Sequence, residues 1–188
     1  MKRLQLDYLD MYLIHWPSVG YTEKWRAMED LYKSGLIKAI GVSNFNQKQL
    51  DKLLSTAKVR PVVNQIETYP YFQQKAMHTL LHQLEIRHEA WGPLGQGKGH
   101  VLTDPVLMKI ADNHQKSTAQ IILRWHLQRG IIVIPKSIHQ NRIQQNIDIF
   151  DFKLSDSEMA TITAIDQNKR GSGDPADEAW LKRATTMK

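Results

Sequence analysis

Apolar residues recur along the chain in two rhythms. Five short runs rich in β-branched and aliphatic residues end abruptly at polar or turn residues, the pattern of buried strands. They are Tyr8 to Ile14, Ile37 to Val42, Val62 to Ile66, Ile86 to Ala90 and Ile131 to Ile134. Between them lie stretches of helical period, from Thr22 to Ser34, Gln47 to Ala57, Gln73 to Leu84 and Thr118 to Arg129. Thr22 and Asn46 stand where N-caps are expected, and Gly35 and Gly130 where helices should stop. The first four strand starts are separated by 29, 25 and 24 residues, close to one βαβ unit each, so the strands should be parallel and adjacent.

The interval before the last strand holds more. It contains a glycine-rich loop, Gly92 to Gly99, and a further helix, Asp104 to Asn113. After the last strand the pattern predicts helices from His139 to Asn146 and from Ser155 to Ile165, the second opened by a Ser155/Glu158 capping box, then a polar tail. No linker or composition shift divides the chain, which reads as a single domain over 1–188. Repeated β-α units make an open doubly wound sheet or a barrel, and both place ligands beyond the carboxyl ends of the strands. There the sequence carries His15-Trp16-Pro17, Ser43-Asn44-Phe45, Glu67-Thr68-Tyr69, Trp91-Gly92-Pro93-Leu94-Gly95 and Pro135-Lys136-Ser137.

Composition narrows the chemistry. The 188 residues are 41% hydrophobic and 23% charged, which suits a globular domain rather than a disordered or fibrous chain. Absence of cysteine removes disulfides, thiolate metal sites and cysteine nucleophiles. No apolar run has the length of a membrane span, and Met1-Lys2-Arg3 leads into no signal-peptide core, so a cytoplasmic protein is expected. The net charge of +6 is spread along the chain and suits an anionic small ligand at least as well as nucleic acid, for which no motif is present. His78 and His82 lie four apart on a predicted helix, but no H-E-x-x-H frame or third ligand accompanies them, so no metal is expected.

On residue type alone each strand-end group keeps two readings. His15 reads as a core histidine or a polar catalytic group, Ser43-Asn44 as a helix-capping turn or a ligand clamp, and Trp91 as a core aromatic or a stacking platform. Gly95 to Gly99 reads as a surface loop, since the G-x-G-x-x-G spacing is missing, or as a phosphate loop. Lys136, Ser137 and Arg142 read as a solvated cluster or as an anion site beside a helix N-terminus.

These stretches, from Leu9-Asp10-Met11-Tyr12-Leu13-Ile14-His15-Trp16-Pro17 through Gly41-Val42-Ser43-Asn44-Phe45, Val63-Asn64-Gln65-Ile66-Glu67 and Ala90-Trp91-Gly92-Pro93-Leu94-Gly95 to Ile134-Pro135-Lys136-Ser137 with Arg142 and Asn146, resemble the aldo-keto reductase family. The resemblance implies a (β/α)8 TIM barrel of which this chain carries strands four to eight. It also implies NADPH-dependent reduction of an aldehyde or ketone. It places His15 beside the substrate carbonyl and Trp16 in the substrate pocket. Ser43, Asn44 and Gln65 would clamp the nicotinamide carboxamide, with Trp91 stacked under the ring where the family usually has tyrosine and Gly92 where serine is commoner. Leu94 and Gly97 fall on the loop over the pyrophosphate, Lys136, Ser137 and Arg142 at the 2′-phosphate, and Asn146 near the adenine.

The family's remaining catalytic Tyr, Lys and Asp have no counterpart here, so the 188-residue chain is expected to be inactive alone and to self-associate through exposed sheet edges. The other reading left open is a truncated, non-catalytic nucleotide-binding or interaction module.

Overall fold

The computed structural model describes residues 2–97 and 100–186. Its strands are β1 (Tyr12–Ile14), β2 (Ile40–Ser43), β3 (Val63–Glu67), β4 (Arg87–Trp91) and β5 (Ile132–Val133). Its helices are α1 (Tyr21–Lys33), α2 (Gln47–Leu54), α3 (Lys75–Gln83), α4 (Pro105–His114), α5 (Thr118–Gln128), α6 (Gln140–Ile147), α7 (Asp156–Ala164) and α8 (Glu178–Thr186). The strands form one sheet in chain order, β1-β2-β3-β4-β5, and the recorded pairings are parallel. This is the α/β pattern that the spacing of the apolar runs predicts.

Boundaries differ where local chemistry intervenes. The first strand begins at Tyr12 rather than Tyr8, with Leu9 forming only an isolated bridge to Ile37. β5 is cut to two residues before Pro135, which has no N–H for a ladder. α1 starts one residue before Thr22, so its N-cap is Gly20 in a left-handed conformation (φ 74°) and not Thr22, whose hydroxyl meets Glu23 instead. Gln73 and Gln74 lie outside α3, because Gln74 has φ +53° and the Gln73 amide donates to the carbonyls of Pro70 and Ile162 at 2.8 Å each. The expected polar tail carries α8, opened by Asp177, whose carboxylate accepts from the N–H groups of Ala179 and Trp180. Asn46 and Ser155 each close a full capping box.

Backbone packing groups the described residues into two compact units. The first comprises residues 2–66, 76–88 and 173–186. Its core joins inward residues of β1 to β3 (Ile14, Ile40, Val42, Ile66) to Trp25 and Met28 of α1, Leu50 and Leu53 of α2 and Leu81 of α3. Gly41 sits between Leu13 and Val63 so closely that a Cβ there would come within 2.7 Å of both side chains, which lets β1, β2 and β3 pack flush. The second unit comprises residues 67–75, 89–97 and 100–172. Its core is mainly helical, with Leu107 and Ile110 of α4, Ile121, Ile122 and Trp125 of α5, and Ile162 of α7, closed by Tyr69, Tyr71 and Phe72.

Candidate functional site

In the first unit the strand-end residues form one hydrogen-bonded set. Ser43 and Gln65 are register partners on β2 and β3, and the Ser43 hydroxyl donates to the Gln65 carbonyl at 2.8 Å. The buried Asn44 amide donates to the His15 carbonyl at 3.1 Å and to the Ser43 hydroxyl at 3.1 Å. Asn44 holds φ +63°, an uncommon conformation that a short amide side chain tolerates best and that redirects the chain out of β2. His15 follows β1 and is exposed, its ring centroid 5.5 Å from that of the half-buried Trp16. Trp16 in turn meets Trp180 of α8 edge-to-face at 4.6 Å. The structure thus brings His15, Ser43, Asn44 and Gln65 together at the strand ends, with the Ser43 hydroxyl and the Asn44 amide engaged by protein acceptors. Sequence reasoning missed Trp180, whose only signal was an apolar Trp180-Leu181 pair three residues past a cap-forming aspartate.

In the second unit Trp91 closes β4, and its carbonyl accepts from the Thr68 N–H at 3.3 Å. The segment that follows bends through left-handed positions at Gly92 (φ +61°), Gly95 (φ +71°), Gln96 (φ +52°) and Gly97 (φ +73°). Leu94 packs onto the second core, while Gly97 is exposed with open space around it. Lys98 and Gly99 of the glycine-rich loop lie outside the described residues.

Beyond β5, Lys136, Ser137 and Asn146 line one groove of about 890 Å³, together with Ile131 to Val133, Ile143, Ile147 and Phe150. Ser137 and His139 make the turn that starts α6: the His139 N–H donates to the Ser137 hydroxyl at 3.1 Å, and the N-cap His139 makes no side-chain capping bond among the described residues. Arg142 is exposed on the first turn of α6 and is not among the residues lining that groove.

Burial sets the electrostatics of the second unit. His126 of α5 is fully buried, its Nδ1 2.8 Å from the Ile122 carbonyl and its Nε2 3.1 Å from that of Thr68. Desolvation outweighs these two contacts and pushes its pKa down to about 4, so the ring is neutral at neutral pH. The Tyr71 hydroxyl donates to Asp104 at 2.6 Å, and burial together with that bond pushes its pKa up to about 12. Tyr69 donates to the Lys169 carbonyl at 2.9 Å and is likewise raised by burial and by Glu67. Neither tyrosine is poised to release a proton near neutrality.

Among the described residues no three His, Asp or Glu side chains converge as a metal site. His78 turns to His88 of β4, Nδ1 to Nδ1 at 3.1 Å, a pairing the spacing of His78 and His82 did not suggest. No helix among the described residues is long and apolar enough to cross a membrane.

Comparison with known proteins places this geometry. Residues 1–167 match the model of the Aldo/keto reductase family. The chain is 50% identical over 176 residues to glyoxal reductase of Bacillus subtilis, covering 93% of this chain and 63% of that protein. It is 45% identical over 178 residues to the methylglyoxal reductase DkgA of Escherichia coli K12, covering 93% and 65%. Among solved structures, a Gox0644 variant in complex with NADPH superposes with a TM-score of 0.88 at 44% identity, covering 93% of this chain and 65% of that one. The chain thus spans just under two thirds of the length of these relatives. With five strand-end motifs at the carboxyl ends of a parallel sheet and a family match over most of its length, the chain belongs to the aldo/keto reductase family.

Proposed function

We propose that this chain is the cofactor-holding part of an NADPH-dependent reductase that converts an aldehyde or ketone to an alcohol. The observation that carries the reading is the set His15, Ser43, Asn44 and Gln65, joined by three hydrogen bonds where strands end. The relatives act, by name, on glyoxal and methylglyoxal, which favours a small reactive carbonyl as substrate.

The residues present fit such a cofactor in each unit taken separately. Ser43, Asn44 and Gln65 offer hydroxyl and amide groups matching the donor and acceptor of a carboxamide, provided that the Ser43 and Asn44 donors turn from their present protein acceptors. Trp91 offers a flat apolar face, and the glycines at 92 and 97 let backbone approach a ligand closely. The uncapped start of α6 with Lys136 and Ser137 suits a phosphate, and Arg142 and Asn146 complete the set on the same helix. NADPH, when bound, supplies the hydride. His15 is exposed at the strand end, where an imidazole N–H can orient a carbonyl oxygen and stabilise charge developing on it, and Trp16 shapes the apolar side of that pocket.

A proton must still reach the oxygen. Neither Tyr69 nor Tyr71 serves, and positioned proton transfer contributes about 10²–10⁴-fold, so we expect the 188-residue chain alone to bind NADPH with negligible turnover. Its exposed sheet edges favour self-association, and the groove beside β5 adds an apolar lining of Ile131 to Val133, Ile143, Ile147 and Phe150.

Calorimetric titration tests the reading. Wild-type chain should bind NADPH more tightly than NADH. Lys136→Ala and Arg142→Ala should each weaken NADPH about tenfold, with little effect on NADH. Equal losses for both cofactors would remove the 2′-phosphate assignment, and absence of any binding would remove the cofactor reading.

A further inference from the structure

Glu67 is buried, 4% exposed, and the proposed chemistry does not use it. It closes β3, and a single loop meets its carboxylate. The Gly171 N–H donates to Oε1 at 2.8 Å, the Ser172 hydroxyl and N–H donate to Oε2 at 2.8 and 3.3 Å, and the Arg170 guanidinium stands 3.9 Å from Oε2. Neighbouring residues reinforce the grip. The Tyr71 carbonyl accepts from the N–H groups of Gln167 and Lys169, and Arg170 lies over the Phe72 ring at 4.7 Å. Fit is close, because a Cβ on Gly171 would come 2.7 Å from the Glu67 Oε1.

A carboxylate is the right group here. It only accepts, so both oxygens can face donors, whereas a glutamine would turn its own N–H₂ toward one of them. Immediately after Ser172 the chain enters the first unit. There the Pro175 carbonyl accepts from the Gln49 amide at 3.3 Å, the Trp180 indole lies against Gly173, and the same indole meets Trp16.

We propose that Glu67 is the latch that positions the C-terminal segment, and through the covalent chain keeps Trp180 against Trp16. The link to substrate rests on the reading of Trp16 as a wall of the carbonyl pocket, while the latch itself does not. Released from Glu67, residues 170–182 would lose the anchor at their start, and the aromatic pair would open.

Hydrogen exchange and tryptophan emission on the 188-residue chain test this. In Glu67→Gln, amides of residues 170–182 should exchange at least about tenfold faster, with α1, α4 and α5 unchanged. Emission should shift, and in a Trp180→Phe background Glu67→Gln should shift it no further. Should Glu67→Gln fail to fold, Gly171→Ala approaches from the other side, leaving the buried charge in place while pushing the loop off it, and should reproduce both signals. Faster exchange limited to residues 170–172 with unchanged emission would overturn the proposal, as would the same emission shift in the Trp180→Phe background. Loss of NADPH binding in the wild-type chain would sink the reductase reading and leave these signals as they are.

Discussion

The two units solve the same problem, burying a tryptophan, in opposite ways. Trp25 in the first is 1% exposed, and its indole N–H donates to the Val59 carbonyl at 3.1 Å. Trp125 in the second is fully buried, its N–H has no hydrogen-bond partner among the described residues, and the Arg129 guanidinium lies 4.4 Å from its ring. Arg129 itself leaves a buried NH1 unmatched, and desolvation brings its pKa down to about 10. The first unit thus satisfies its polar groups around a sheet, while the second tolerates unpaired ones in a helical core and leaves an apolar groove open.

The largest break in that comparison should come from acid. His126 is held neutral, with its folded pKa near 4 against about 6.5 for an unfolded histidine. Its contribution is complete above pH 6.5, declines as pH falls below that value, and is gone below pH 4, about 3 kcal/mol in all. Urea midpoints between pH 7 and pH 4 should fall for wild type and fall less steeply for His126→Gln. Parallel slopes would show that other groups set the acid limit.

The tryptophans come next. Trp25→Phe loses ring volume and strands the Val59 carbonyl, an expected cost of about 3 kcal/mol, whereas Trp125→Phe loses similar volume but removes an unpaired N–H, about 1 kcal/mol. Equal losses in chemical denaturation would mean that the Trp125 N–H has a partner in solution.

Two glycines sharpen the contrast further. Gly41→Ala must push Leu13 and Val63 apart and should cost about 2 kcal/mol, while Gly97→Ala meets open space and only the left-handed backbone penalty, about 1 kcal/mol. Thermal unfolding would rank them, and the reverse order would refute the packing argument. Smallest in stability is Ile147→Glu at the groove, within about 0.5 kcal/mol. Its effect should appear instead as a lower light-scattering mass, and an unchanged mass would move self-association to another surface.

Local chemistry was legible in the sequence. Asn46 and Ser155 announced their capping boxes, Gly35 and Gly130 the helix ends, and the spacing of apolar runs the parallel order of the strands. The strand-end rule pointed to His15, Ser43 and Asn44, and the family resemblance added Gln65; in the fold, hydrogen bonds join the four. What stayed hidden was non-local or degenerate. Thr22 has the chemistry of an N-cap, yet Gly20 wins because its missing Cβ lets the chain turn left-handed one residue before the helix. Glu67 meets Gly171 across 104 positions, a separation at which no periodicity survives. Trp180 sits in a segment whose polarity masks a helix, and His88 was read as part of a strand rather than as the partner of His78.

The discontinuity of the two units bears on how the chain is made. The first draws on three separate stretches and the second on two, so neither is a contiguous run of the chain. During synthesis at about 5–20 residues per second, the earliest stretch of the first unit must wait for Gly173 to Leu181 before its packing is whole. Over that interval the first unit stays incomplete, whereas every stretch of the second has been made by residue 172. No single cut in the gene therefore separates the two units.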